Sequence, residues 1–345
     1  MNHLLDPKSE PLANWLAERG QAKFRAGQIK RWLYAQRAGS IDEMTDLPKK
    51  LRDELTNDFK IWTSQIAKHS TAEDGTEKLL LKLSDGGLIE CVLLRDGDRR
   101  TICISTQVGC AMGCVFCASG LEGVDRNLTS GEIIEQMLLL QRLLPKDERL
   151  SHIVVMGMGE PLANLDGLLP ALDMANDDDG LGIGVRRITI STVGLPKPIL
   201  KLADSNLGYH LAVSLHAPND ELRNELVSVN KSTGIREIIS AADRYFEVSG
   251  RRLTFEYVLL AEVNDQPQHA RQLTKLLRGR SALLNVIPYN PVAGLPYRTP
   301  SAKSIKTFRE ILEAGGLSIK FRQRKGNKIN AACGQLRRSS VQVIG

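Results

Sequence analysis

From residue 117 onward the chain alternates short strand-like runs with longer helical ones, and that order leaves few folds open. Strand-like runs fall at 153–156, 187–191, 210–215, 253–259, 283–287 and 317–322. Helical stretches fall at 130–144, 165–175, 196–204, 235–248, 268–277 and 302–314. Repeated strand–helix order of this kind predicts an α/β fold with a parallel sheet, open or closed into part of a barrel. Upstream, residues 11–60 read as helical. Leu12, Trp15 and Leu16 mark one apolar face; Ile29, Trp32 and Leu33 mark a second; Leu51, Leu55 and Phe59 mark a third. Apolar runs at 79–83, 88–94 and 101–106 are split by Asp85-Gly86-Gly87 and Asp96-Gly97-Asp98, both hairpin signals. We therefore expect a helical unit at 1–75 and a larger unit at 76–345 that opens with a β-hairpin extension. The 345 residues, 42% hydrophobic, are enough for one large core with a small addition.

Polar residues gather where the strand-like runs end: Glu160, Ser191, His216 and Asn290 each follow or close one. In an α/β barrel such positions line a ligand pocket. The net charge of +6 suits a polyanionic partner. No stretch approaches the roughly 20 apolar residues of a membrane span, and residues 1–10 lack a signal-peptide build. A cytoplasmic protein with no membrane contact is expected. Six cysteines in a chain this long are not a disulfide framework, and three of them crowd together.

Those three, Cys110, Cys114 and Cys117, form C-x3-C-x2-C in a loop after a strand. Three thiolates can hold three irons of a [4Fe–4S] cluster and leave the fourth open. Zinc is the first alternative, but a structural zinc site wants four closed ligands, and only His152 or His210 could fold over to complete one. Glu90 stands alone as a charge in an apolar strand, with Leu88, Val92 and Leu94 on its face. A carboxylate so placed has a raised pKa and suits proton transfer, unless it sits on a solvated edge. Read alone, Cys333 is a small buried residue, Cys103 a packed strand residue and His216 a packed histidine. Cys91 reads as core.

Phe116 before the last cysteine makes the loop similar to the hallmark of the radical S-adenosylmethionine (SAM) superfamily. Four wider stretches narrow the likeness: Ser105-Thr-Gln-Val-Gly-Cys110, Met156-Gly-Met-Gly-Glu-Pro161, Ser214-Leu-His-Ala-Pro-Asn-Asp220 and Ala331-Ala-Cys-Gly-Gln-Leu336. Over residues 12–336 the chain resembles the dual-specificity RNA methyltransferases that modify C2 of adenosine in 23S ribosomal RNA and in certain tRNAs. The resemblance implies a partial (βα)6 TIM-like radical SAM barrel at 76–345, with a C-terminal loop carrying the methyl-accepting cysteine. It makes 1–75 a helical accessory domain that contacts RNA.

It also assigns roles. Cys110, Cys114 and Cys117 would hold a [4Fe–4S] cluster, and two SAM molecules would be used per turnover. SAM contacts carry over onto Gly159, Glu160, Ser191, Ser214, Leu215, His216 and Asn290. Cys333 becomes the methyl carrier: one SAM methylates its thiolate, and a second supplies the radical that removes hydrogen from the S-methyl group. Cys103 becomes the resolving thiol, which frees the RNA adduct by a disulfide with Cys333. Glu90 becomes the proton acceptor. The implied partners are 23S rRNA, tRNA and a reductant such as flavodoxin or ferredoxin, and the chain is expected to be a monomer.

Basic residues Lys320, Arg322, Arg324, Lys325 and Lys328 precede Cys333 and suit phosphates around a flipped-out base. Where the family carries an acidic run before the carrier cysteine, Asn327, Lys328 and Asn330 stand here. Lys23, Arg25, Lys30 and Arg31 form either a solvated face or a second RNA contact. A related antibiotic-resistance methyltransferase acting at C8 shares the cluster, the glutamate and both outer cysteines; Val108 and Pro161 look like the C2 group. A non-catalytic iron–sulfur RNA-binding protein is the rival from another class, and it leaves Cys103, Cys333 and Glu90 without a purpose.

Overall fold

The computed structural model describes residues 2–8, 12–322, 326 and 329–337. It opens with β1 (Asn2–His3), α1 (Leu12–Glu18) and α2 (Phe24–Lys30), the last running into a wide π turn at Arg31–Ala35. Next come α3 (Lys49–Asp58), which starts after Pro48, and β2 (Phe59–Lys60), which pairs with β1. The three expected apolar faces meet: Trp15, Leu16, Ile29, Leu33, Leu51, Leu55 and Phe59 are all buried. Each such side chain contributes roughly 1.5–3 kcal/mol by leaving water. The Trp15 and Phe59 rings meet edge to face at 5.4 Å.

An antiparallel meander follows: β3 (Gln65–Thr71), β4 (Glu77–Lys82), β5 (Leu88–Asp96) and β6 (Arg99–Cys103). The turns after β4 and β5 are the two Asp-Gly turns expected from the sequence, with Gly86 and Gly97 at positive φ. The expected 75/76 division falls in the turn between β3 and β4. β3 was not anticipated, because its residues are polar and mostly exposed.

β6 then changes the sheet from antiparallel to parallel. A small ribbon, β7 (Gln107–Gly109) and β8 (Val124–Asn127), flanks the cysteine loop. Beyond it the chain runs α4 (Ser130–Gln141), β9 (His152–Val155), α5 (Leu165–Asn176), β10 (Ile188–Thr192) and α6 (Pro196–Asp204). It continues through β11 (His210–Ser214), α7 (Asp220–Leu226), α8 (Ile235–Ser249), β12 (Leu253–Leu259), α9 (Pro267–Leu277), β13 (Ala282–Pro288), α10 (Ala302–Ala314) and β14 (Ile319–Phe321). One ten-stranded sheet results, ordered β14-β13-β12-β11-β10-β9-β6-β5-β4-β3. From β6 to β14 every pairing is parallel, giving six strand–helix units and a closing seventh strand. β14 and β6 do not pair, so the barrel is partial, as expected. Cys91 lies in the core. Among the described residues no helix is long and apolar enough to cross a membrane.

Candidate active site

The site starts where β6 ends. Gln136 of α4 takes over as the strand's neighbour: its Oε1 accepts from the Ser105 N–H (2.8 Å) and its Nε2 donates to the Ser105 carbonyl (3.0 Å). Ser105 Oγ donates to the Glu90 carbonyl (2.6 Å) and accepts from the Met158 N–H (2.8 Å). Gln107 Oε1 accepts from the Glu160 N–H (2.8 Å). The turn at 156–161 thus lies flat on the cysteine strand, and two glycines permit it. A Cβ on Gly157 would stand 2.6 Å from the Ile104 carbonyl oxygen. Gly159 has φ +103°, and a Cβ there would stand 2.7 Å from Gln107 Cβ.

A cavity of about 150 Å³ opens at the carboxyl ends of the parallel strands. Cys110, Cys114 and Cys117 line it together with Gly159, Glu160, Ser191, Ser214, His216, Glu256 and Cys333. A larger groove of about 1190 Å³ runs outside the barrel over α6 and α8 and holds no cysteine or histidine. Glu160 accepts from the N–H groups of Leu162 (3.0 Å) and Val193 (2.8 Å), and burial pushes its carboxyl up to about 6. His216, at φ +60°, accepts on Nδ1 from the Val258 N–H (3.1 Å), so its proton sits on Nε2. Burial, then the charge of Arg223, holds the ring down to about 3, so it is neutral. Asn290 donates from Nδ2 to the Cys333 carbonyl at 3.4 Å, while its buried Oδ1 has no partner among the described residues. Two of the expected contacts lie outside the cavity lining: Asn290 and, more deeply, Leu215. Leu215 is fully buried, its N–H donates to the Glu256 carbonyl (2.9 Å), and its carbonyl accepts from Arg223 (3.0 Å).

The cysteine loop is pinned by backbone bonds. Val115 N–H donates to the Leu226 carbonyl (3.1 Å), and Cys114 bridges to Val227. Phe116 packs edge-on against His216 at 4.9 Å. Among the described residues, no three His, Cys, Asp or Glu side chains converge on a point where a single metal ion could sit. Three thiolates that each bind a separate iron need no such convergence. His152 and His210, offered above as a fourth zinc ligand, begin β9 and β11 at the opposite ends of those strands and do not line the cavity. The donor set therefore fits a cluster, and the unpartnered Asn290 oxygen with the neutral His216 ring fits a polar ligand beside it.

The C-terminal loop is tied to the same place. Ala118 N–H donates to the Gly334 carbonyl (2.8 Å), and Ser119 Oγ donates to the Leu336 carbonyl (2.6 Å). Arg322 reaches Cys333 Sγ at 3.9 Å. Cys103, on β6, lies just outside the cavity lining. Burial pushes its thiol up to about 12. Glu90 is buried, and burial raises its pKa against the opposing pull of Lys78. Its carboxylate accepts from Lys78 Nζ (2.7 Å) and from the Arg337 N–H (3.0 Å). Lys78 Nζ also donates to the Asn330 carbonyl (3.0 Å). Of the basic run, Arg324, Lys325 and Lys328 lie outside the described residues, as does Asn327. Lys30 and Arg31 are ion-paired, with Asp177 (3.3 Å) and Asp46 (2.6 Å).

Sequence reading missed Lys78, Arg223, Glu256 and Arg322 as members of this site. Arg223 alone had a local signal. Asn219 followed by Asp220 and Glu221 is a helix start, and it places the arginine on α7, directly after the motif that carries His216.

Residues 2–61 match the ribosomal RNA large subunit methyltransferase N-terminal domain, and residues 104–273 match the radical SAM superfamily. A protein of Rhodopirellula baltica named "Probable dual-specificity RNA methyltransferase RlmN" is 66% identical over 342 residues, covering 99% of this chain and 92% of that one. The chain belongs to the RlmN family. An RlmN protein of Clostridium perfringens with the same name is 44% identical over 346 residues, covering 100% of this chain and 99% of the other. The crystal structure of a radical SAM methyltransferase from Sphaerobacter thermophilus superposes with a TM-score of 0.95 at 43% identity, over 98% of this chain and 100% of that one. Like its RlmN relatives, the chain is a SAM-dependent methyltransferase that works with a [4Fe–4S] cluster.

Proposed function

We propose that this RlmN-family chain methylates C2 of adenosine, in 23S ribosomal RNA and in tRNA, with Cys333 as the methyl carrier. One observation supports this most: Cys333 lines the same cavity as Cys110, Cys114 and Cys117, on a loop hydrogen-bonded to theirs. Cys110, Cys114 and Cys117 hold the cluster, while Gly159, Glu160, Ser191, Ser214, His216 and Asn290, with the Leu215 backbone behind them, surround SAM. When bound, the cluster and SAM supply the methyl group and the one-electron chemistry that an unreactive ring carbon requires.

The chain's own residues do the rest. Cys333 takes the methyl group on sulfur and presents it to the adenine. Glu90 takes the C2 proton once the C-terminal loop leaves its carboxylate, and the raised pKa caused by burial suits that step. The Cys103 thiolate then attacks the Cys333 sulfur and breaks its bond to the methylene carbon, which takes up a proton and leaves as the methyl group of the RNA; an external dithiol reduces the resulting disulfide and restores both thiols. The basic charge, the helical segment at 1–75 and Lys320 with Arg322 serve RNA. The electron comes from a reductant of the flavodoxin or ferredoxin type, and the chain works as a monomer.

The test uses anaerobically reconstituted enzyme, dithionite, SAM and either protein-free 23S RNA fragments or tRNA, with the product mapped by mass spectrometry. Methyl on C2 of adenosine is expected in both RNAs; methyl on C8 would overturn the C2 reading. Cys103→Ala should leave RNA covalently attached, whereas Cys333→Ala should form no adduct. Normal turnover by Cys103→Ala would remove its resolving role.

A further inference from the structure

Arg223 on α7 is fully buried, at 0% exposure, yet no carboxylate among the described residues pairs with it. Its guanidinium is held by neutral acceptors. Nε donates to the Leu215 carbonyl (3.0 Å), Nη1 to Asn230 Oδ1 (2.5 Å), and Nη2 to the carbonyls of Ser214 (3.1 Å) and Val193. Asp220 is reached only through Asn230, whose Nδ2 donates to it at 3.0 Å. A buried cation without a partner is costly, so its retention calls for an anion that it serves.

The surrounding bonds say where that anion lies. Val193 and Ser214 close two strands that wall the cavity, and Val193 also donates its N–H to Glu160. One turn beyond Arg223, the Leu226 carbonyl, Val227 and Ser228 clamp the cysteine loop: the first accepts from Val115 (3.1 Å), the second bridges Cys114, and Ser228 Oγ donates to the Gly113 carbonyl (3.1 Å). Arg223 therefore stands behind the cysteine loop, tied to both the loop's clamp and the strand ends, without lining the cavity itself.

We propose that Arg223 is a positioning residue whose buried positive charge acts as the fixed counter-charge of the iron–sulfur cluster, raising its reduction potential. The inference rests on the cluster reading of the three cysteines. A cube held by three thiolates gains one further negative charge when it takes an electron from the reductant. A cation in a low-dielectric setting stabilises that added charge more than it stabilises the oxidised form. Burial brings the guanidinium down only to about 10, so it stays charged at neutral pH.

The test is an EPR-monitored redox titration of the anaerobically reconstituted full-length holoenzyme, with iron and sulfide counted on the same samples. Arg223→Gln should retain four irons and show at least a tenfold lower reduced-to-oxidised ratio at fixed poise, a fall of about 59 mV for one electron. Arg223→Lys keeps the charge and should stay near the wild-type potential. Asn224→Asp preserves the acceptor that Asn230 uses (2.7 Å) and adds, through Asn230, a second carboxylate two hydrogen bonds from the guanidinium beside that of Asp220, so its potential should also fall, by less than that of Arg223→Gln. A fully loaded Arg223→Gln at the wild-type potential overturns the proposal. So does an Arg223→Lys potential as low as that of the glutamine variant. Where Arg223→Gln fails to assemble, Asn224→Asp decides, and an unchanged midpoint there overturns the proposal. Wild-type protein that binds no iron would instead sink the cluster reading beneath it.

Discussion

Glu160 and Glu256 both face the cavity, and neither has a cation in contact among the described residues. Burial pushes the first up to about 6 and the second to about 7, the latter against the opposing charge of Arg322 and the hydrogen bond that Asn285 Nδ2 donates to Glu256 at 2.7 Å. A carboxyl whose folded pKa exceeds its unfolded value of 4.5 binds protons more tightly when folded. Its ionisation therefore costs nothing at pH 4 and progressively more stability as pH rises through 7. Glu256→Gln should stabilise the protein at pH 8 by roughly 2–3 kcal/mol and leave it unchanged at pH 4. Urea unfolding at the two pH values checks this, and an equal gain at both would assign the effect to packing. Gly157→Ala should be far worse tolerated than a surface change, because the added methyl meets the Ile104 backbone carbonyl, which cannot step aside. We expect a loss of about 1–3 kcal/mol together with weakened SAM binding by isothermal calorimetry. Cys110, Glu160 and His216 were legible because their meaning lies in neighbours along the chain. Lys78 and Glu256 were not, because theirs lies in Glu90 and Asn285, which only the sheet brings near.

At the scale of elements, α4 shows how the helical segment is fastened to the barrel. Glu135 is buried and accepts four hydrogen bonds, from the N–H and hydroxyl of Thr63 (3.0 and 2.8 Å) and of Ser64 (2.9 and 2.6 Å). His3 Nε2 stands 3.3 Å from the same carboxylate. Glu135→Ala would leave two backbone donors without partners at once. We expect roughly 3–5 kcal/mol lost in denaturant unfolding. Glu135→Gln should lose less, since one acceptor oxygen survives. A loss below 1 kcal/mol for the alanine variant would show that water takes the carboxylate's place. The strand–helix alternation was readable because each helix buries an apolar stripe and the parallel strands are short, largely apolar runs between them, even where, as in β10, one face carries Thr189 and Ser191. β3 escaped because its side chains are mostly exposed and its order comes from pairing with β4. α7 escaped because a seven-residue helix between two turns leaves too short a period to detect.

For the whole molecule, the sequence announced the barrel, its end-on cavity and the cysteine loop, but not how the last segment returns. That segment crosses the chain's full length in contacts, such as Lys78 with Asn330 and Glu90 with Arg337, and no local pattern encodes partners about 250 positions apart. The net charge of +6 predicts RNA affinity that falls with ionic strength. Titrations from 50 to 200 mM salt should weaken binding by roughly 50- to 150-fold if about four phosphates are neutralised. A flat response would place recognition in base contacts alone. The bonds from Ala118 to Gly334 and from Ser119 to Leu336 have one more consequence. Oxygen damage that strips the metal and loosens one loop must slacken the other. An air-inactivated molecule would then present no chemically charged arm to RNA, and protease nicking within 329–337 should rise in step with iron loss.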